Sequence, residues 1–138
     1  MVSITSPLNY VSPMITSIYA ALLSLLIVWL SLNVIMIRQA GQVILGDGDN
    51  PKLQAAIRTQ GNATEYIPIS LILLLLLELS KGHWSLLHIG GVVLLTGRLI
   101  HARGLLTGNI QLRVLGMQLT LFNIIYLAIA NLVYQFIK

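Results

Sequence analysis

Two uncharged stretches, Met14 to Ile37 and Val114 to Ile137, are each longer than the roughly 20 residues an α-helix needs to cross about 30 Å of hydrocarbon. Between them, Leu53 to Ser80 and Trp84 to Ala102 are also apolar, although the first carries Arg58 and Glu65 and the second ends in Arg98 and His101. Only 9% of the chain is charged and 57% is hydrophobic, whereas soluble domains carry about 25% charged residues. The pattern predicts an all-α, multi-pass integral membrane four-helix bundle. It forms one domain over residues 1–138, with helices at about 13–38, 51–80, 84–103 and 113–137.

Four spans place the loops around Arg38 to Lys52 and Arg103 to Arg113 on one side of the bilayer, and the termini with the loop around Lys81 to His83 on the other. The first side collects Arg38, Lys52, Arg103 and Arg113, with Arg58 and Arg98 nearby, against Lys81 and Lys138 on the second. By the positive-inside rule the Arg-rich side faces the cytoplasm. The net charge of +4 therefore reports topology, and with the cations at membrane depth no nucleic-acid partner is expected. The segment before Met14 has no Lys or Arg, so it lacks the charged region of a cleavable signal peptide and the first helix is expected to be retained. Ser12 followed by Pro13 suits a helix start with proline at its first position. The absence of cysteine excludes disulfides, a thiol nucleophile and thiolate metal sites; no metal is expected.

The longest connection contains Gly46-Asp47-Gly48-Asp49-Asn50-Pro51. It lacks the ligand spacing and closing Glu of a calcium loop and reads instead as a turn leading into a helix capped by Asp49 or Asn50, with Pro51 at the first position. Pro68 lies inside the second helix, where it removes a backbone hydrogen bond; it either kinks the chain and widens a pocket or is repaired by neighbouring helices. Gly90, Gly91 and Gly97 permit close helix contact in the third helix. His88 is expected in the core and His83 at the membrane interface.

Arg58, Asn62, Glu65 and Tyr66 fall within about 100° of arc on one helix. An Arg58/Glu65 pair that locks neighbouring helices together would explain part of this set, but intramembrane ionisable groups mark functional sites by default. The chain has five arginines and four carboxylates, and Glu78 lies towards the opposite face. Excess guanidinium therefore remains at the Arg-rich end. Lipid phosphate accounts for Arg103, while an anionic ligand accounts better for Arg38, Arg58 and Arg113. A ligand with two carboxylates, one ammonium and a thiol fits, because arginine grips carboxylate through a bidentate fork and Glu65 is available to the ammonium. Glutathione has that inventory, and a nearby guanidinium favours its thiolate form.

The run Arg58-Thr59-Gln60-Gly61-Asn62-Ala63-Thr64-Glu65-Tyr66-Ile67-Pro68, followed by Arg98, His101 and Arg113, resembles the membrane-associated proteins in eicosanoid and glutathione metabolism (MAPEG). It is most similar to the bacterial branch of microsomal glutathione transferases, and the likeness extends from about Met14 to the C-terminus. That resemblance implies a homotrimer in a bacterial inner membrane, with glutathione between subunits near the cytoplasmic side. It places Arg58, Gln60, Asn62, Glu65 and Tyr66 in the glutathione site on the second helix, with Arg38, Arg98 and His101 as further members. Arg113, at the start of the fourth helix, matches the arginine that holds the thiolate, where a helix N-terminus adds positive potential. His101 is equally compatible with a structural role.

The chain departs from that pattern in places. Bacterial relatives often have His where Gln60 stands, and the leukotriene-forming branch has a tyrosine with no counterpart among Gly104, Leu105, Leu106 and Thr107. The loop before Arg113 is also about a residue longer. These differences point away from leukotriene or prostaglandin synthesis and leave conjugation of glutathione to hydrophobic small-molecule or lipid electrophiles, with lipid hydroperoxide reduction by the same thiolate. The competing readings are a non-enzymatic scaffold that binds lipid or glutathione, and a small transporter or assembly subunit using the arginines as an anion path.

Overall fold

A computed structural model describes residues 13–137; Ser12 and Lys138, invoked above, lie outside them. The chain is all-α, with four helices in succession: α1 Met14–Gly41, α2 Pro51–Leu79, α3 Trp84–Thr107 and α4 Ile110–Ile137. Each is long and apolar enough to cross a membrane, and sequential neighbours run antiparallel through short connections. Relative to the sequence reading, α3 continues to Thr107 and α4 starts at Ile110, because the connection between them shrinks to Gly108 and Asn109.

Leucine does not distinguish inside from outside here, because lipid tails are as apolar as leucine. The buried positions instead repeat every three or four residues. On α1 they include Tyr19, Leu23, Leu26 and Leu30, and on α2 Leu53, Ala56, Thr59, Ala63, Ile67, Ser70, Leu74 and Leu77. The α3–α4 seam is the most closely packed. Gly90, Gly97 and Gly104 of α3 lie against Leu127, Thr120 and the Arg113 backbone of α4. Gly91 leaves room for the Tyr19 ring of α1, whose hydroxyl bonds His88 Nδ1 at 2.9 Å. His88, expected in the core, is only half-buried beside Tyr19, while His83 caps α3 by accepting from the Ser85 N–H.

Asn50 Oδ1 accepts the N–H groups of Lys52 and Leu53 at 3.0 and 3.3 Å, with Pro51 opening α2. This is the cap foreseen in the turn sequence. The start of α1 differs from the expectation: Pro13 precedes the helix instead of occupying its first position, and no local side chain caps it. Glu78, at the end of α2, reaches across instead. Its Oε1 and Oε2 accept the N–H groups of Ile15 and Thr16, each at 2.8 Å, and the residue is 7% exposed. A carboxylate that satisfies two helix-start N–H groups also complements the helix dipole. Glu78→Ala is therefore expected to destabilise the protein by about 2–3 kcal/mol, read as a lower unfolding midpoint in detergent; an unchanged midpoint would assign the cap no energetic role.

α2 continues through Pro68 without a break in the helix. Nothing local interrupts it, so the polar residues from Arg58 to Tyr66 stay in one helical register.

Candidate functional site

The Arg-rich end of the bundle is built by the second to fourth turns of α2, the last turns of α3 and the first turns of α4. At the α3–α4 crossing the two backbones nearly touch. A β-carbon on Gly104 would meet Arg113 Cα at 2.8 Å, and one on Gly116 would meet His101 Cα at 2.6 Å and the Gly97 carbonyl oxygen at 2.7 Å. Close approach lets His101 Nδ1 bond the Arg113 carbonyl oxygen at 2.9 Å. A carbonyl has no proton to give, so the shared hydrogen is on Nδ1, and in the neutral ring Nε2 is left as an acceptor. Nε2 is buried without a partner among the described residues. The bond from His101 fixes the backbone that carries Arg113, while the same ring lines one of the cavities described below.

Asn109 caps α4, its side chain accepting from Leu112 N–H at 3.1 Å and its carbonyl from Arg113 N–H at 3.1 Å. Arg113 therefore lies one turn into the helix, not at its first residue. Its own N–H is already paired, and only its side chain is offered to a ligand.

Three adjoining cavities surround these groups. The largest, about 500 Å³, is lined by Pro51, Gln54, Ala55, Arg58, Asn62, Leu105 and Arg113. A second, about 240 Å³, is lined by Asn62, His101, Arg113, Val114, Met117 and Gln118. A third, about 300 Å³, has Arg38, Asp47, Gln54 and Arg58 in its wall. Arg113 and Asn62 are common to the first two, and Arg58 and Gln54 to the first and third. Guanidinium groups thus stand at both junctions.

Arg98 is 2% exposed and crosses from α3 to α2. Its Nη1 donates to the Asn62 carbonyl oxygen at 3.4 Å, and its guanidinium carbon lies 5.7 Å from the Tyr66 ring centroid, within cation–π range. Asn62 Nδ2 in turn donates to the Arg58 carbonyl oxygen at 2.9 Å. Arg98 and Tyr66 therefore brace the α2 face from behind and line none of the three cavities.

The structure brings Arg38, Arg58, Asn62, His101 and Arg113 to this set of cavities. Gln60 and Glu65 line none of them; Gln60 is half-buried and Glu65 exposed on α2. Arg58 and Glu65 form no ion pair within the protomer, so the helix-locking pair is not present there. Sequence reasoning did not assign Gln54, Met117 or Gln118 to the site, nor foresee Gly104 and Gly116 as its supports. The two glycines carried a signal, since glycine in an apolar helix often marks close helix contact.

Among proteins of known sequence, the model for the MAPEG family matches residues 16–133. The chain is 40% identical over 122 residues to Inner membrane protein YecN of Escherichia coli K12, covering 88% of this chain and 93% of that protein. The protein of the same name from Escherichia coli O6:H1 strain CFT073 matches to the same extent. With four helices of spanning length and composition, the chain is an integral membrane protein.

Proposed function

The chain belongs to the MAPEG family, and from that premise we propose that it is a membrane-bound glutathione transferase that joins glutathione thiolate to hydrophobic electrophiles. The observation that carries the reading is the position of Arg113, on the wall shared by a polar cavity of about 500 Å³ and a smaller one of about 240 Å³. The polar cavity has Arg58 and Asn62 to hold carboxylate and peptide groups. The smaller one has Val114 and Met117 beside the same guanidinium, surroundings suited to an apolar partner arriving from the lipid.

In this mechanism Arg113 lowers the energy of the thiolate relative to the thiol, and the thiol proton leaves to solvent. The sulfur lone pair then forms a C–S bond as the electrophile's leaving group departs with its bonding electrons. With a lipid hydroperoxide, the thiolate takes the terminal oxygen to give a sulfenic acid and releases the alcohol after protonation; a second glutathione then forms the disulfide and water.

We place the protein as a homotrimer in the inner membrane with its Arg-rich side cytoplasmic. Arg58 and Glu65 are exposed on the protomer surface of a spanning helix, and a charge facing hydrocarbon costs about 2.5–3.5 kcal/mol or more. A neighbouring subunit that covers the α2 face removes that cost and brings Gln60 and Glu65 towards an adjacent site. Mass measurement of the purified protein in detergent is expected to give three chains.

The function is tested by titrating glutathione into the purified protein while recording absorbance near 240 nm, and then adding an activated aryl halide. A saturable thiolate signal that is consumed as conjugate and halide form is the expected result. Saturable binding without thiolate or conjugate would leave a glutathione-binding scaffold, and absence of binding would remove glutathione from the reading.

A further inference from the structure

A fourth cavity, of about 480 Å³, opens between α1 and α3 and is lined by Trp29, Leu99, Ala102, Arg103, Leu106 and Thr107. α1 touches α2 and α3 but not α4, so this groove lies across the bundle from the α2–α4 wall that holds Arg58 and Arg113. It shares no lining residue with the three cavities around them, and what it binds is therefore independent of glutathione handling. Its floor is packed protein, since Ala102 is buried in one cluster with Leu26 and Leu30. Its rim is open to the bilayer, with Trp29 and Leu99 half-exposed and Arg103 exposed.

Polarity runs along the groove in one direction. Arg103 lies in the last turns of α3, at the end of the bundle where the cations collect, whereas Trp29 stands at the middle of α1 and so deeper in the hydrocarbon. The Thr107 hydroxyl donates to the Arg103 carbonyl oxygen at 2.7 Å, which commits its proton. The Arg103 guanidinium is thus the one charge on the wall, and no carboxylate pairs with it among the described residues.

An occupant that fits has an anion at headgroup depth and a hydrocarbon chain below it, the form of a phospholipid. With no acidic residue in the wall, a headgroup ammonium finds no partner and is repelled by Arg103. We propose that the α1–α3 groove is a binding site for an anionic phospholipid of the Arg-rich leaflet, its phosphate on Arg103 and one acyl chain along Leu99 and Trp29. The guanidinium fork can hold two phosphate oxygens together, while the arginine stem covers the apolar surface beneath it. One basic residue at the membrane surface favours anionic lipid by about fivefold.

The chain has two tryptophans, so Trp84→Phe, at the opposite end of α3, leaves Trp29 as the only indole and a reporter inside the groove. This protein is reconstituted in phosphatidylcholine vesicles, and its fluorescence is followed as dibrominated phosphatidylglycerol or dibrominated phosphatidylcholine replaces the host lipid, because bromine quenches indole on contact. Phosphatidylglycerol is expected to quench with about fivefold higher apparent affinity. Adding Arg103→Gln should bring the two lipids to near parity, while adding Lys52→Gln, which removes a different charge from the same side, should keep the preference. Both side chains are exposed, and unchanged unfolding midpoints check that the variants fold. Inorganic phosphate should not reverse the quenching. Equal quenching by the two lipids, a preference that survives Arg103→Gln, or one lost equally in Lys52→Gln would overturn the site. So would reversal by inorganic phosphate, which would make Arg103 a free-anion site, and absence of quenching by either lipid, which would mean that a neighbouring subunit covers the groove.

Discussion

Arg113→Ala is expected to lower kcat/KM for conjugation by about 10²- to 10³-fold, the usual loss when a preorganised group that stabilises developing or resting negative charge is removed. A cysteine-type thiol has a reference pKa near 8.5, and each unit of depression needs about 1.4 kcal/mol of preferential thiolate stabilisation. Arg113 is the cation placed to supply it at the junction of the polar and apolar cavities. The fold should tolerate the change, because the bond from His101 goes to the Arg113 backbone carbonyl and the side chain is exposed. Arg58 and Asn62 remain in the cavity wall, so glutathione affinity should fall far less than the rate. Arg113→Lys keeps the charge but loses the planar fork and should recover part of the thiolate absorbance near 240 nm. An Arg113→Ala protein that keeps both the full absorbance and the wild-type rate would end the proposed mechanism.

The second large effect is structural. Gly116→Ala is expected to destabilise the protein by about 3 kcal/mol or more, at the upper end of what overpacking costs. The added methyl would meet His101 Cα at 2.6 Å and the Gly97 carbonyl oxygen at 2.7 Å. These are backbone atoms of a neighbouring spanning helix and cannot swing aside as a side chain can. Separating α3 from α4 would stretch the His101–Arg113 bond, so whatever folds should also lose conjugating activity. Leu32→Ala, on a half-exposed position of α1, provides the comparison and should change little. Unfolding midpoints of the two variants in the same detergent decide the matter: if Gly116→Ala unfolds with wild type, the α3–α4 contact is looser than described.

These two residues also illustrate how unevenly the site could be read beforehand. Arg58, Asn62 and Arg113 were legible because a polar group in a membrane helix is expensive and rare, so each stands out against its neighbours. Asp47 and Gln54 were not, because acidic and amide residues beside a turn have an ordinary explanation in capping and solvation. Arg98 and Tyr66 looked like ligand groups from their sequence positions, yet they contact each other behind the cavity wall. Helical periodicity gives the face a side chain occupies but not which helix stands opposite it.

The number of spans, the capped turn into α2, the clustering of cations at one end and the family could all be read from the chain before folding, since length, apolarity and rare intramembrane charges are properties of contiguous residues. Helix packing, in contrast, is what makes Glu78 cap α1 across a separation of more than sixty residues and His101 hold the backbone of Arg113. It also brings Arg58 and Arg113 to one cavity. In a bilayer apolarity is nearly the same on every face of a helix, so hydropathy cannot specify which faces meet; that choice falls to small residues that permit contact and to hydrogen-bonding groups that must find a partner.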